Sequence, residues 1–339
     1  MRASRIGVAV GFVIAAAAVL AAGAARAADQ PPIVMKITLP TINDALNAYS
    51  TMLGAAVERH SGGRIKAEVY PASQLGSIPR QIEGVQFGSI QVAVMPPEFY
   101  VGVDERFEVL TAPGLVDSME QAHRVTSDPA VQKLMLGLGA NKGLHGLALF
   151  SVEPSAVITR QGIRHLDDFK GKKIRIFASD FQSEAMKRLG ATPIAMTLGD
   201  VLPAIQQGTI DGAIAGMAVF APMHYQDAAR FVTETGQPHI FIIVETSQRW
   251  FDGLPKDLQK IVADDATEDA KEIYPVAIRL YADQRKQWLA QGGELLKLPP
   301  DDQATMLKTL STVAEDVSKS KPAVHAAYET VLAAAKQAP

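Results

Sequence analysis

The chain contains no cysteine, and this absence excludes several kinds of protein. Disulfide-stabilised scaffolds, zinc sites built on thiolates and a lipid-modified N-terminal cysteine all require a thiol. Stability must therefore come from a hydrophobic core. The 339 residues are 47% hydrophobic, which is enough for the cores of two domains.

Sequence motifs of catalysis and of nucleic-acid binding are also missing. None of the seven histidines has the spacing of a metal-binding HExxH motif, and the chain has neither a GxSxG nucleophile turn nor a P-loop. The net charge of −3 gives no basic footprint for nucleic acid. We therefore expect a protein that is not an enzyme and that has no metal, no cofactor and no nucleic-acid partner.

The N-terminal segment is organised differently from the rest of the chain. Two early arginines provide a basic start, an uncharged run of twenty residues follows at 6–25, and Ala25-Arg26-Ala27 has the small-x-small pattern of a cleavage site. The run is just long enough for a retained membrane anchor, but its alanine and glycine content and the cleavage pattern favour removal. We expect a secretory signal peptide at 1–27, cleaved near Ala27, and a periplasmic mature protein.

Downstream, strand-like and helix-like segments alternate, which predicts an α/β fold with parallel strands. The stretch QIEGVQFGSIQVAV from Gln81 repeats at an offset of 120 residues as VLPAIQQGTIDGAI from Val201, and each copy predicts a short helix, a glycine stop and a buried strand. A shorter echo pairs Arg64-Ile65-Lys66 with Lys173-Ile174-Arg175. Because both echoes occur in the same order, we expect an internal duplication and two similar lobes that face each other across a cleft.

Three predicted helices begin with a pattern like a capping box, at Thr41-x-x-Asp44, Ser179-x-x-Gln182 and Thr197-x-x-Asp200. The first two follow predicted strands directly, and such turns lie at the carboxyl ends of strands, where α/β folds bind ligands. Helix N-termini at this edge present free N–H groups to an anion. The clustering of these caps therefore favours an anion-binding cleft.

Five motifs in consistent order and spacing resemble the solute-binding proteins of TRAP transporters (tripartite ATP-independent periplasmic transporters). They are ERHSGGRIKAEVYPASQLG at 58–76, QIEGVQFGSIQVAV at 81–94, LDDFKGKKIRI at 166–176, LGATPIAMTLGDVLPAIQQGTIDG at 189–212 and RWFDGLP at 249–255. Together with the segments between them they cover most of the chain that follows the signal peptide.

The resemblance implies a type II-like periplasmic binding protein with two α/β lobes, a hinge and a long helix that spans both lobes. Residues 28–152 with about 240–280 would form the first lobe, and residues 153–239 with about 281–335 the second. The resemblance also implies a small organic acid held between the lobes and delivered to the large and small membrane subunits of a TRAP permease.

The resemblance maps the carboxylate-binding arginine of the family onto Arg175. On the predicted strand this side chain alternates with Ile174 and Ile176, and a predicted helix cap follows at Ser179. Arginine can hold a carboxylate through two parallel hydrogen bonds. The alternative is an arginine in a structural ion pair, but the family match favours the ligand role.

Two departures from the family pattern remove polar groups from the expected pocket. The second family arginine falls at Pro154 or Ser155, and the asparagine that follows the Asp-Gly pair becomes Ala215. A buried polar ligand group without a partner is costly, so we expect one clamped carboxylate and a monocarboxylate with an apolar or aromatic body. The ligand-binding candidates are Arg175, Phe177, Ser179, Leu198, Ala215, Gly216, Met217 and Phe220 in the second lobe and Ser77, Pro97 and Phe99 in the first. We expect Glu98, beside the last two, to be solvated.

Three alternatives stay open on the sequence. A C4-dicarboxylate or other polyacid would need a second cation, for which Arg80 and Arg160 are candidates. A periplasmic enzyme, such as a lyase or a hydrolase, could assemble its site only in three dimensions. A ligand-presenting subunit of a sensor kinase would share the features of a transport receptor.

Overall fold

The structure, a computed structural model, describes residues 31–337, and the signal peptide expected at 1–27 lies outside the described residues. The strands are β1 (Ile33–Thr38), β2 (Ile65–Tyr70), β3 (Val92–Met95), β4 (Leu144–Pro154), β5 (Ala156–Thr159), β6 (Lys173–Ile176), β7 (Thr192–Ala195), β8 (Gly212–Ala215), β9 (Phe231–Thr233), β10 (His239–Ser247) and β11 (Glu294–Leu296). The α-helices are α1 (Ala45–His60), α2 (Ile78–Phe87), α3 (Met119–Ser127), α4 (Pro129–Leu136), α5 (Asp180–Arg188), α6 (Leu198–Gln207), α7 (Met217–Phe220), α8 (Gln248–Gly253), α9 (Lys256–Ala290), α10 (Pro300–Leu310), α11 (Val313–Ser318) and α12 (Pro322–Gln337). Short 3-10 segments lie at Pro97–Tyr100, Glu105–Thr111, Ala140–Lys142, Leu166–Phe169 and Tyr225–Asp227.

Each lobe is built on one sheet, and the two sheets have matching strand orders. The first sheet has the order β2-β1-β3-β10-β4, and the second has the order β7-β6-β8-β5-β9 with β11 added at its far edge. In each sheet the first three strands are parallel, and the fourth runs antiparallel to both of its neighbours. The α/β fold with two lobes is therefore confirmed.

The repeat at an offset of 120 residues is a repeat in the structure as well. Helix α2 ends at Gly88 before β3, and helix α6 ends at Gly208 before β8. Both glycines cap their helix in the left-handed region, with φ of 83° and 73°. A side chain is strained there, so glycine is the residue that stops both helices at the same point.

The shorter echo is not a structural repeat. Arg64-Ile65-Lys66 leads into β2, which is an edge strand, whereas Lys173-Ile174-Arg175 begins β6, which lies second in its sheet. By position in the sheets β6 corresponds to β1, and β7 corresponds to β2. The expectation of a second repeated pair was wrong, because a basic-apolar-basic triplet occurs at the start of an edge strand in one lobe and of an inner strand in the other.

Two neighbouring chain crossings and one long helix join the lobes, and the chain returns to the first lobe once more between α11 and α12. Strand β4 of the first sheet passes into β5 of the second at Ser155, and the amide of Ser155 donates to the carbonyl oxygen of Pro238 at 2.9 Å, just before β10 returns to the first sheet. Helix α9 continues through Pro275 and packs against α1 and β4 of the first lobe and α7 of the second. Between residues 31 and 337, α9 included, no helix combines the length and the apolar character that a membrane span requires.

The C-terminal segment is divided between the lobes. Helices α10 and α11 pack against α5 of the second lobe, whereas α12 packs against α3 and α4 of the first. The side chain of Gln121 on α3 donates to the carbonyl oxygen of Ala335 at 3.0 Å. We had expected residues up to about 335 in the second lobe, but first-lobe helices cover the apolar face of α12. The other domain boundaries stay predictions.

Candidate functional site

A cleft lies between the two sheets at the carboxyl ends of their parallel strands. The residues that follow β1 and β3 line it from the first lobe, those that follow β6 and β8 line it from the second, and α9 covers it along one side. The space inside it that a small molecule can occupy is about 50 Å³, so the cleft is nearly closed. Its position at the strand ends is typical of small-molecule sites in α/β proteins.

Most of the cleft wall is apolar. The apolar residues are Pro40, Ala45, Leu46, Pro96, Phe99, Val152, Phe177, Leu198, Gly216, Ala218, Val219, Ile240, Ile242, Ala277 and Leu280, and the polar ones are Thr41, Asp44, Glu153, Tyr281 and Gln284. Among the described residues that line the wall, none is a lysine, an arginine or a histidine. A ligand with a largely apolar body therefore fits most of this surface.

Arg175 is buried directly behind the wall, with 0% of its surface exposed. Its Nε donates to the carbonyl oxygen of Met196 at 2.9 Å, and its Nη1 donates to that of Ile214 at 3.3 Å. Nη2 has no hydrogen-bond partner among the described residues. Burial lowers the pKa of Arg175 to about 10, while Tyr225 and Glu98 limit that fall, so the guanidinium is a cation at neutral pH.

A second buried donor close to Arg175 also lacks a partner. The hydroxyl of Tyr225 has no hydrogen-bond partner among the described residues. Burial raises the pKa of Tyr225 to about 12, and the charge of Arg175 opposes that rise. The hydroxyl therefore keeps its proton at neutral pH. Arg175 and Tyr225 together offer unused N–H and O–H groups to an anion.

Two phenylalanine rings, one from each lobe, meet in front of Arg175. The guanidinium carbon lies 4.7 Å from the centroid of the Phe177 ring, which is a cation–π contact. Phe99 of the first lobe meets the edge of Phe177 at 5.5 Å between centroids. Phe177 thus lines the cleft, whereas the guanidinium that lies over its ring does not.

We had expected Glu98 of the first lobe to be solvated. It is buried instead, with 3% of its surface exposed. Burial raises its pKa to about 7, and the charge of Arg175 opposes that rise. The expectation was wrong because Glu98 lies on the turn Pro97–Tyr100, which packs against residues 105–111, α2 and β10 of its own lobe and faces the charge of Arg175 from the second lobe. The sequence around Glu98 carries no information about this contact between lobes.

The structure brings only some of the eleven expected ligand-binding residues to the cleft wall. Phe177, Leu198, Gly216 and Phe99 line it. Arg175, Ala215, Met217, Phe220 and Pro97 are buried behind it, and Ser179 and Ser77 begin helices outside it. Ser179 caps α5 and also bonds to Thr111 of the first lobe at 2.6 Å between hydroxyl oxygens. Its surroundings are those of a contact between lobes.

Two buried carboxyl groups of the first lobe line the cleft and escaped the sequence reasoning. They belong to Asp44 and Glu153, which are 2% and 4% exposed. Asp44 was noticed as the fourth residue of a capping pattern, but it is itself the N-cap of α1, since its side chain accepts from the amide of Asn47 at 2.9 Å. Glu153 directly precedes the position where the family arginine is replaced, which was the available signal.

Comparison with known proteins places this two-lobed cleft in a family. Residues 40–321 match the sequence profile of the bacterial extracellular solute-binding protein family 7. The chain belongs to this family. The C4-dicarboxylate-binding periplasmic protein DctP of Rhodobacter capsulatus is a relative, 28% identical over 77% of this chain and 79% of its own length.

Solved structures of other solute-binding proteins have the same fold. The sugar acid binding protein DctPAm of Advenella mimigardefordensis, in complex with galactonate, has a TM-score of 0.85 at 21% identity and covers 92% of this chain and 100% of its own. A TRAP periplasmic solute binding protein of Shewanella oneidensis with bound succinate has a TM-score of 0.83 at 20% identity and covers 90% and 100%. At these identities the likeness shows the fold alone.

Membership of family 7 excludes the periplasmic enzyme, one of the three alternatives left open by the sequence. The family consists of substrate-binding receptors for transport that act outside the cytoplasm, so the protein is a solute receptor and not an enzyme. The resemblance to TRAP solute-binding proteins is confirmed.

Proposed function

We propose that this family 7 receptor binds a small organic monocarboxylate in the cleft, with the carboxylate on Arg175 and a largely apolar body against the wall. After export, with the signal peptide removed near Ala27, it delivers this ligand to the large and small membrane subunits of a TRAP permease. The relatives whose names include organic acids support the choice of an acid.

The observation that carries the proposal is the unused hydrogen-bonding capacity of a buried cation. Arg175 is fixed by two backbone carbonyl oxygens, and its Nη2 points to no protein acceptor. A buried charge is unfavourable until it is paired. Between residues 31 and 337 no carboxylate makes a hydrogen bond to this guanidinium, which favours the ligand role over a structural ion pair.

The cations suggested for a dicarboxylate lie away from the cleft. Arg80 is exposed on α2 and pairs with Glu83 at 3.1 Å, and Arg160 pairs with Asp211 at 3.5 Å on the surface. Neither arginine lines the wall. A second ligand carboxylate would meet the carboxyl groups of Asp44 and Glu153 instead of a cation, which favours a single carboxylate.

A thermal-shift screen of the mature protein with mono-, di- and hydroxycarboxylic acids tests the proposal, followed by calorimetry of the acids that stabilise it. A ligand at about 100 times its dissociation constant adds about 2.7 kcal/mol to the free energy of unfolding. Arg175→Gln should weaken binding at least about 30-fold, because a buried charge pair loses one partner.

Arg160→Gln is the matched control, since it removes a surface arginine of the same lobe and should leave the affinity unchanged. A flat response across the whole panel, or an Arg175→Gln protein that keeps its affinity, would contradict the proposal. Sequencing the N-terminus of the protein purified from the periplasm tests the cleavage near Ala27.

A further inference from the structure

The end of the cleft formed by β1, β4 and α9 is acidic, and the proposed function gives this acidity no role. Asp44 follows β1 and Glu153 lies in β4, so both carboxyl groups come from the first lobe. Both line the cleft and both are more than nine-tenths buried. Arg175 stands on the opposite lobe, in β6.

Among the described residues neither carboxyl group has a cationic partner. Asp44 accepts from the amide of Asn47 through Oδ1. Its Oδ2 and the Thr41 hydroxyl, whose proximity opposes the rise that burial causes in the pKa of Asp44, have no other partner in the described part of the chain. Glu153 accepts one bond at 3.0 Å from each of the amides of Met217 and Ala218. The remaining polar groups on this wall are the neutral side chains of Tyr281 and Gln284.

The Glu153 side chain reaches from the first lobe to the second, and the second lobe leaves space for its carboxyl group. Glu153 belongs to the first sheet, and the amides that hold it belong to α7 of the second lobe. A Cβ atom on Gly216 would lie 2.1 Å from Oε1 of Glu153. Only glycine at 216 therefore allows the carboxyl to sit against α7, so this acidic group is built into the closed cleft.

Burial makes the charged forms of both groups unfavourable in the protein alone. It raises the pKa of Glu153 to about 8, with a further contribution from the charge of Asp44, and it raises the pKa of Asp44 to about 6. A cation bound between the two groups would stabilise both carboxylates. A second carboxylate there would be repelled by Asp44, which is ionised at pH 7, and an apolar group would leave Oδ2 of Asp44 with no donor beyond the Thr41 hydroxyl.

We propose that the ligand is a zwitterion whose protonated nitrogen lies between Asp44 and Glu153 while its carboxylate faces Arg175. This inference rests on the proposed function and names the ligand class for the same cleft. The chemistry is that of a compact amino or imino acid: one carboxylate, one ammonium group and an apolar body that matches the rest of the wall. The two lobes then bind opposite charges of one molecule, and each lobe reaches its full set of contacts only when closed.

Matched pairs of acids with and without the nitrogen test the inference by calorimetry on the mature protein. Suitable pairs are leucine with 4-methylpentanoate, phenylalanine with 3-phenylpropionate, and proline with cyclopentanecarboxylate. We expect at least one amine-bearing member to bind at least about tenfold more tightly than its partner, since one charge-assisted contact is worth that much. Asp44→Asn and Glu153→Gln should each reduce this ratio, and Arg175→Gln should weaken both members of the pair.

Glu245→Gln is the matched control, because Glu245 is a buried carboxyl group of β10 that lies outside the cleft wall. It should leave the ratio unchanged. Binding of the ammonium group at pH 7 should also release protons from Glu153, which calorimetry in buffers of different ionisation enthalpy measures. The release should shrink in Glu153→Gln.

The possible failures are distinguishable. If nitrogen-free acids bind as tightly as their amine-bearing partners and still depend on Arg175, the zwitterion is wrong and the carboxylate receptor stands. Tight binding of succinate or of a sugar acid, with the ratio unaffected by Asp44→Asn and Glu153→Gln, would overturn the inference in the same way. If no acid in either set binds, the proposed function itself fails.

Discussion

The same turn occurs in both lobes with opposite chemistry. The segment Pro97–Tyr100 follows β3, and Met217–Phe220 follows β8 at the 120-residue offset of the repeat. In the first lobe the turn lacks an N–H group at Pro97 and carries the carboxyl group of Glu98. In the second lobe the equivalent residues are Met217 and Ala218. Their amides both donate to the carboxyl group of Glu153.

This comparison shows how two lobes with a repeated fold come to carry opposite charges on the two sides of the cleft. Both turns place an apolar residue on the wall, Phe99 and Val219, and bury an aromatic side chain behind it, Tyr100 and Phe220. The backbone geometry is thus used twice for packing. The charge differs because the first lobe supplies carboxyl groups and the second supplies Arg175. Variants that remove one of these charges, or one of the shared structural features, test the comparison.

The largest expected effect is on the pH dependence of stability through Glu153. Its pKa is raised from 4.5 to about 8 in the folded state, so the folded protein binds the proton more tightly than the unfolded chain. The stability contribution is fully present below pH 4.5 and is lost as the pH rises through about 8. The loss is about 5 kcal/mol, at about 1.4 kcal/mol for each pH unit by which the pKa is raised.

Denaturant unfolding of the unliganded protein from pH 4.5 to pH 8.5 measures this loss, and Glu153→Gln should remove most of it. Asp44 faces Glu153 and contributes in the same direction, since its pKa is raised to about 6, whereas Tyr281 titrates near pH 12, outside the window. Glu83→Gln, at an exposed carboxylate, is the control and should leave the curve as it is. Parallel curves for wild type and Glu153→Gln would show that the carboxyl group is not buried in solution.

The next effect concerns a contact that joins the lobes away from the cleft. Lys321 lies 2.7 Å from the carboxylate of Asp180 in the second lobe and 3.3 Å from that of Glu108, which is buried on the first. Lys321→Met leaves the Glu108 carboxyl group without its cation in the closed form. Ligand affinity should fall about tenfold, because partial exposure of the lysine reduces the full cost of breaking a buried pair.

Small-angle scattering should show a larger radius of gyration for the unliganded Lys321→Met protein. Lys319→Met is the matched control, since Lys319 pairs with Asp316 within the second lobe. An equal loss of affinity in both variants would mean that the charge acts on the ligand at a distance and not on closure.

A third test compares the two helix-ending glycines. Gly88→Ala and Gly208→Ala each force a side chain into the left-handed region, which should cost about 1 kcal/mol in the free energy of unfolding. The added Cβ meets the Ser247 hydroxyl at 3.3 Å in the first lobe and the flexible end of Arg160 at 3.0 Å in the second. Chemical denaturation should therefore show Gly88→Ala as the more damaging of the two, and the reverse order would mean that the first lobe relaxes around Ser247.

The sequence predicts the lobes better than it predicts the cleft. Two local patterns predicted the fold largely as it is observed. They are the alternation of strands and helices and the helix stops at Gly88 and Gly208. Arg175 was found through a motif of its own strand. Asp44, Glu98 and Glu153 were missed or misjudged because their surroundings include residues far away along the chain: α9 for Asp44, β10 for Glu98 and α7 for Glu153. Local patterns carry no such information.

The smallest expected effect belongs to Glu98, which competes with the ligand for Arg175. Its pKa of about 7 means that the carboxyl group is neutral at pH 6 and ionised at pH 8, where it pairs electrostatically with Arg175. A ligand carboxylate then has to displace that interaction.

The affinity of the wild type for a carboxylate should therefore fall about threefold between pH 6 and pH 8. The change is modest because the Glu98 charge acts without a direct hydrogen bond to Arg175. Calorimetry with a nitrogen-free monocarboxylate measures this effect, and Glu98→Gln should reduce the pH dependence to the part that comes from ionisation of Asp44 and Glu153, while binding equally well at pH 6. If Glu98→Gln binds the ligand more weakly at both pH values, Glu98 contributes to the site as a hydrogen-bond donor. The difference in charge between the turns Pro97–Tyr100 and Met217–Phe220 would then not explain the burial of Glu98.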